Sequence, residues 1–342
     1  MLVERIFKLS TDEVDFDRRG HVCDDRVTRG NLETILRAFV TGYNAALASG
    51  DPTDLCRTLT RDFDAHHVGF AFEGAGMCYA LFDLLAPWST SRLRAFTDGA
   101  GLQHDYIATV GAGFAIARVP WGRRLLDRYL HRLEPTMAWC VIDGYGFHEG
   151  YFYPARYTAA GRAPPAALPA HARQPFISGV GRSFWWTLGA APDRIAAAIA
   201  RYPAEAQGEM WCGIGVAAAY AGGIEAPTLL DLHRRAGPWS SDFLSGLPLA
   251  ARMRQKGGNP SAWTDIACTA LLGMTAEAAA DHLAGTVDAV IAELHGQDIR
   301  LREDGYARLR DRLRHWIDAR HGTTLQADHV ESVRKSYAAQ RP

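Results

Sequence analysis

Five Gly-x-Gly pairs recur along this chain of 342 residues: Gly74-Ala75-Gly76, Gly111-Ala112-Gly113, Gly144-Tyr145-Gly146, Gly179-Val180-Gly181 and Gly213-Ile214-Gly215. Their first glycines are separated by 37, 33, 35 and 34 residues, and a degenerate sixth unit begins at Gly246. Self-similarity at this period marks stacked supersecondary units, typically helix hairpins of about 34 residues. Each pair precedes a hydrophobic stretch that a proline closes (Pro87, Pro120, Pro154, Pro192 or Pro227). That order predicts a short apolar helix starting at the glycines, followed by a second, more polar helix. The second helices are predicted over 91–96, 122–133, 193–201, 228–236 and, in the sixth unit, 261–274. Two small residues at a helix start admit a neighbouring backbone at close range, at some cost in helix propensity.

Residues 1–62 differ from this pattern. A short strand or strap is expected at Arg5–Leu9, and Leu32, Ile35, Leu36, Phe39, Val40, Tyr43 and Leu47 predict an amphipathic helix over 31–48. Four prolines in 159–175 predict a loop that takes the place of a second helix in the third unit. Helices are also expected over 275–294 and 304–320, with a frayed tail beyond. The expected fold is all-α: tandem helix-hairpin repeats forming an α/α solenoid or toroid. Its expected divisions are an N-terminal cap segment (1–62), a helical repeat domain (63–295) and a C-terminal helix and tail (296–342).

Lys plus Arg number 37 against 38 Asp plus Glu, so no electrostatic ground exists for a nucleic-acid partner. Six cysteines lie far apart with no Cys-x-x-Cys pair, as expected of reduced thiols in a cytoplasmic protein. The N-terminus lacks the apolar core of a signal peptide, and no uninterrupted apolar run reaches the roughly 18–20 residues of a membrane span.

The first helices of the hairpins are expected to line the inner surface with Tyr79, Phe82, Phe147, Tyr151, Phe152, Trp185, Trp186, Trp211 and Tyr220. An aromatic lining suits an extended apolar or conjugated ligand. The densest polar cluster, Asp143 to Phe152, sets an acid, a phenol (Tyr145), an imidazole (His148) and a second acid (Glu149) at the start of one helix. His148 is the candidate general acid or base. Glu73 and Asp143 each immediately precede a glycine pair, so equivalent positions put both on one face, as paired carboxylates or hard-metal ligands. At helix N-termini the same acids would also answer the helix dipole. Arg182, beside Trp185 and Trp186, can hold an anion or stabilise developing negative charge. His148-Glu149 resembles the opening of a zinc-protease motif, but Phe152 stands where the second histidine belongs. His104-Asp105 and Asp64, His66 and His67 are pairs that can hold a metal or simply lie on the surface. No dinucleotide fingerprint, phosphate loop or nucleophile elbow is present, so no cofactor is identified and a metal has no support.

The segments 69–77, 110–114, 143–152, 179–186, 211–215, 220–223 and 258–260 together resemble a bacterial family of unknown function, the enediyne biosynthesis proteins. His21, after Arg18-Arg19-Gly20, departs from the family's usual aromatic residue. The resemblance implies a role in making or maturing a highly unsaturated polyketide, with no settled reaction and no catalytic residues to transfer. The expectation drawn from residues and resemblance together is a protein that binds and processes a linear conjugated polyene. His148, Asp143, Glu73 and Arg182 are its expected chemistry, and Tyr145, Glu149, Phe152, Trp186 and Trp211 its ligand contacts. The alternative is a helical scaffold or carrier for polyketide-synthase and tailoring partners.

Overall fold

A computed structural model describes residues 6–130, 133–294 and 304–324. All regular structure among them is helical. The helices used below are α1 (Arg26–Ala48), α2 (Pro52–Asp62), α3 (Val68–Leu85), α4 (Arg92–Thr97), α5 (Asp105–Arg118), α6 (Gly122–Leu130), α7 (Pro135–Phe152) and α8 (Arg173–Thr187). They continue with α9 (Pro192–Ile199), α10 (Ala204–Tyr220), α11 (Ala226–Ala236), α12 (Ser240–Gly257), α13 (Ala262–Leu272), α14 (Ala276–Leu294) and α15 (Gly305–Thr324). The polar second helices lie close to their predicted ranges, and 160–169 is irregular as the prolines require. No strand forms among the described residues near Leu9. Its N–H and carbonyl are instead bonded by the Asn44 side-chain amide, each at 3.0 Å, which straps the N-terminal segment to α1. Arg5 and the tail beyond 324 lie outside the described residues.

The glycine pairs sit in the middle of long apolar helices, not at their starts. Helices α3, α5, α7, α8, α10 and α12 begin six to nine residues before the first glycine of their pair or its equivalent, Gly246. The start signals were weak because several of these helices open without a side-chain cap, at Val68, Asp105, Arg173 and Ser240. In consecutive order α1, α3, α5, α7, α8, α10, α12 and α14 each pack against the next. The first glycine of a pair meets the preceding helix of this row and the second meets the following one. A methyl group at Gly111 would stand 1.9 Å from the Glu73 carbonyl oxygen, and one at Gly113 would stand 2.2 Å from that of Val141. The same relation links Gly144 to Val110, Gly179 to Asp143, Gly213 to Ser178 and Gly246 to Cys212. In α12 Pro248 stands where the second glycine would be. Backbones at this range exclude any side chain and are held by close packing and Cα–H···O contacts.

Helical geometry turns these contacts into a direction for every side chain. Residues two apart differ by about 200° around a helix, so the paired glycines face nearly opposite neighbours. The residue between them points to one side of the row, and those immediately before and after the pair point to the other. The second side is the interior. Glu73, Val110, Asp143 and Ser178 from before the pairs, and Met77, Phe114, Phe147, Arg182 and Val216 from after them, all line internal cavities. None of the central residues Ala75, Ala112, Tyr145, Val180 and Ile214 does.

The end of α12 is tied to the segment before α3, to α5 and to the end of α10. Lys256 pairs with buried Asp105 at the start of α5, and Arg254 donates to the carbonyls of His66 (2.8 Å) and Tyr220. Asn259 Nδ2 donates to the Ala65 carbonyl at 3.1 Å, after the chain leaves α12 through the left-handed Gly258 (φ +59°). Helix α15 is held against α10 and α12 by fully buried Arg310, which bonds Glu209 (3.1 Å), Asp242 (2.9 Å) and the Ser245 hydroxyl. Helix α3 is long and apolar enough to cross a membrane (18 residues, mean hydropathy 1.4), yet 89% of it is buried by its neighbours. No single apolar run in the sequence shows this, because Glu73 and Asp83 interrupt it.

Adding one methyl group separates packing glycines from incidental ones. Gly111→Ala should lower unfolding free energy by about 3 kcal/mol or more, or prevent folding. Gly285→Ala, with open space around it in α14, should raise it by roughly 0.5–1 kcal/mol. Denaturant midpoints check both, and equal midpoints for the two variants would refute the backbone-contact account.

Candidate functional site

Three charged side chains, from α3, α7 and α8, meet inside the row. Arg182 of α8 reaches Asp143 of α7 (Nη2 to Oδ1, 2.6 Å) and faces Glu73 of α3 (Nη1 to Oε1, 4.0 Å). Its guanidinium lies over the Phe147 ring at 4.5 Å, and its buried Nε has no hydrogen-bond partner. One guanidinium thus serves two carboxylates in a poorly solvated place. Burial, reinforced by the charge of Asp143 and opposed by Arg182, pushes the Glu73 carboxyl up to about 7. Burial also raises Asp143, against the pull of Arg182. Two carboxylates so close to one cation cannot both ionise freely, and the more buried one keeps a proton into the neutral range. Arg182 stands where a hard cation between the two acids would have to lie.

The cluster stands in the partition between two cavities. The central one spans about 1060 Å³ free of protein atoms, the open solvent at its mouth included, and is walled by α3, α5, α7, α8, α10, α12, α14 and α15. The second, about 570 Å³ with its open solvent counted in the same way, lies under the N-terminal strap and α1. Phe70, Arg182 and Trp186 line both, Asp143 only the first and Glu73 only the second. Both are walled chiefly by apolar and aromatic side chains, with Trp186 Nε1 a further buried donor without a partner.

Other expected site residues lie elsewhere. His148 does not join Glu73 and Asp143. It lies five residues after Asp143, which is about 140° around the helix. Its ring packs between Phe114 (5.9 Å) and Phe152 (4.4 Å) and borders a surface cleft instead. Burial and the positive charges of Arg118, Arg19 and Arg123 push its pKa down to about 3, so it stays neutral at ordinary pH. Glu149 is buried in a structural pair with Arg123 (3.1 Å) and Tyr157 (3.1 Å). Tyr145 packs on Phe176 and Trp211 on Phe243, and neither reaches a cavity. Tyr79 and Phe82 turn toward α4, packing on Phe96 and under Arg92, while Trp185 donates to the Gly222 carbonyl. Phe152 and Trp186 do line cavity walls. Among the described residues no three His, Cys, Asp or Glu side chains gather as a metal site.

A family model described as a protein of unknown function, DUF1702, matches residues 1–317. The chain belongs to the DUF1702 family. No curated protein and no solved structure matches it.

In this DUF1702 protein the groups missed by sequence reasoning are those whose partners are remote in sequence. Arg310 reads as one more surface charge on an amphipathic helix, yet it is fully buried. Ser178, beside Asp143, was legible only as the position equivalent to Glu73. Glu13 and Arg118, 105 residues apart, form a two-bond pair that no local pattern announces.

The buried titratable groups predict an acid-labile fold. His21, His66, His104 and His148 are pushed down by burial to about 4, 3, 4 and 3. Their unfolded forms titrate near 6.5, so their contribution is complete above that pH and is lost as pH falls toward 4. Glu73 acts with the opposite sign, because its folded value near 7 exceeds 4.5, so stability falls as pH rises between them. Asp83, Asp105 and Asp143 are raised as well and share the sign of Glu73, but they start from the lower carboxylate value, and the four imidazoles outweigh them between pH 5 and 7. Denaturant midpoints should therefore fall from pH 7 to pH 5. His148→Phe should flatten that slope, and Glu73→Gln should steepen it while adding on the order of 3 kcal/mol above pH 7. A midpoint indifferent to pH in this window would contradict the assignment.

Proposed function

We propose that this DUF1702 protein binds a linear conjugated polyene or polyketide chain in its interior and moves a proton along it at Glu73. The observation that carries the reading is the Glu73–Arg182–Asp143 cluster, set in the partition between two apolar cavities. Near neutral pH a carboxyl titrating at about 7 is present in both forms, so it serves as base and then as acid. With a carbonyl oxygen on the free Nε of Arg182, Glu73 takes a proton from an adjacent C–H. The electron pair moves onto the oxygen as an enolate, which the guanidinium stabilises. Glu73 returns the proton at a distant carbon of the conjugated system, and the C=C bonds shift. The net change is an isomerisation, and no oxidant is required. The resemblance to enediyne biosynthesis proteins supplies the class of chain, highly unsaturated and linear.

The scaffold reading calls for aromatic stripes exposed on a concave face. Here Phe147, Tyr151, Trp186 and Tyr220 are inside, while Trp88 and Trp121 are exposed separately. For the architecture, we infer tandem hairpin units whose row closes into a ring. The regular glycine contacts and the Arg254, Lys256 and Asn259 links from α12 to the segment before α3 and to α5 support this.

The test is incubation with a linear polyenone in D2O, following its absorption spectrum and mass. The expected outcome is a shifted spectrum with deuterium incorporated on carbon, reduced at least about 100-fold in Glu73→Gln, in line with removal of a positioned acid–base group. Deuterium uptake that survives in Glu73→Gln, or no spectral change in the wild type, would sink the proposal.

A further inference from the structure

The second cavity continues toward the surface. It shares Glu13, Arg118 and Phe152 with the cleft that His148 borders, so cleft, second cavity and central cavity lie in series. The junction with the cleft is occupied by an ion pair. Arg118 Nη1 and Nη2 donate to the two carboxylate oxygens of Glu13, at 2.7 and 2.6 Å, in the parallel fork by which arginine grips carboxylates and phosphates. Glu13 belongs to a single 3₁₀ turn, Thr11–Val14, and Leu9 and Val14 beside it roof the second cavity. The pair is partly exposed, 38% and 25% for the two side chains, so parting it costs the fold little.

What remains after Glu13 is set aside favours an anion. Of the charged side chains lining the cleft, Arg18, Arg19 and Arg118 then face only Asp12. Buried His148 presents an unpartnered Nδ1 among groups bordering the same cleft, and the leading charges acting on it are all arginines.

We propose that Arg118 is the anchor for the anionic headgroup of a single-chain amphiphile, and that the Glu13 carboxylate occupies this anchor in the present structure. The headgroup is a carboxylate or a phosphate monoester, and the chain runs inward through the second cavity. Along α5, Arg118 lies eight residues from Val110 in the wall of the central cavity, roughly 12 Å. An extended chain covers about 1.2 Å per bond, so about ten carbons bring it from the anchor to the Arg182 partition. A ligand held this way presents a fixed carbon to Glu73. This assignment rests on the reading of the interior as a chain-binding space.

The test uses dodecanoate, dodecyl phosphate, 1-dodecanol and octanoate below their micellar concentrations, with binding followed by tryptophan fluorescence. Wild-type protein should bind the better of the two anions about tenfold more tightly than the alcohol, and which anion is better identifies the headgroup. Octanoate should fall below dodecanoate. Arg118→Gln should abolish the preference for the anion while leaving the affinity for dodecanol unchanged, and Arg118→Lys should restore part of it. Glu13→Gln should act in the opposite sense and tighten anion binding, because it removes the competing carboxylate. If Glu13→Gln and Arg118→Gln shift anion affinity in the same direction, the pair is only a structural tie and the proposal is overturned. Equal binding of acid and alcohol to the wild type overturns the anchor but leaves the interior reading standing, and failure of all four to bind removes both.

Discussion

The structure depends on backbone approaching backbone. Each long helix lies so close to the next that a carbonyl of one occupies the space of a side chain on the other, and only glycine permits this. The two glycines of a pair serve different neighbours, so each of α3, α5, α7, α8 and α10 is fixed in rotation and height by contacts on both flanks. Ordinary side-chain packing would allow a turn's slippage for modest cost. A contact that a methyl group would close to about 2 Å does not. The helices pay for this in intrinsic propensity, and near-complete burial of helices such as α3 and α10 offsets it.

Fixed register is what makes a charged interior possible. Glu73 and Asp143 occur at the same step before a glycine pair, and Arg182 at the step just after one, so all three emerge on the inner side at one level. A carboxylate buried without such a partner would be neutral throughout the physiological range or would unfold its surroundings. One guanidinium shared between two acids leaves Glu73 between those limits, which is the condition for proton transfer. The second buried cluster sets two cations, Arg310 and Arg314, against two acids, Glu209 and Asp242, and serves to dock α15. Similar residue types thus do different work, according to how many opposite charges they meet.

Much of the helical organisation was legible in the sequence because its signals are local. Prolines stand two residues beyond the ends of α3, α5 and α7, whereas Pro192 and Pro227 open second helices, and those second helices were recognisable from their more polar composition. The helix starts were not legible, since the glycines were read as an opening when they are a midpoint contact. The same misplacement put Asp143 to Glu149 together at one helix end. In the middle of a helix those residues spread around it, and His148 and Glu149 leave the face that Asp143 occupies.

By itself the sequence determined that the chain is helical, where most connections fall, and that Glu73 and Asp143 occupy equivalent steps. These follow from propensity, punctuation and spacing, which act within a few residues. Only the tertiary structure decided that Arg182 lies between those acids, that Tyr145 and Trp211 face away from the cavities, and that Glu13 covers Arg118. The first two depend on the rotation of one helix against another, set by carbonyl–glycine contacts between residues 28 to 38 positions apart, and the third on the strap that carries Glu13 back to α5.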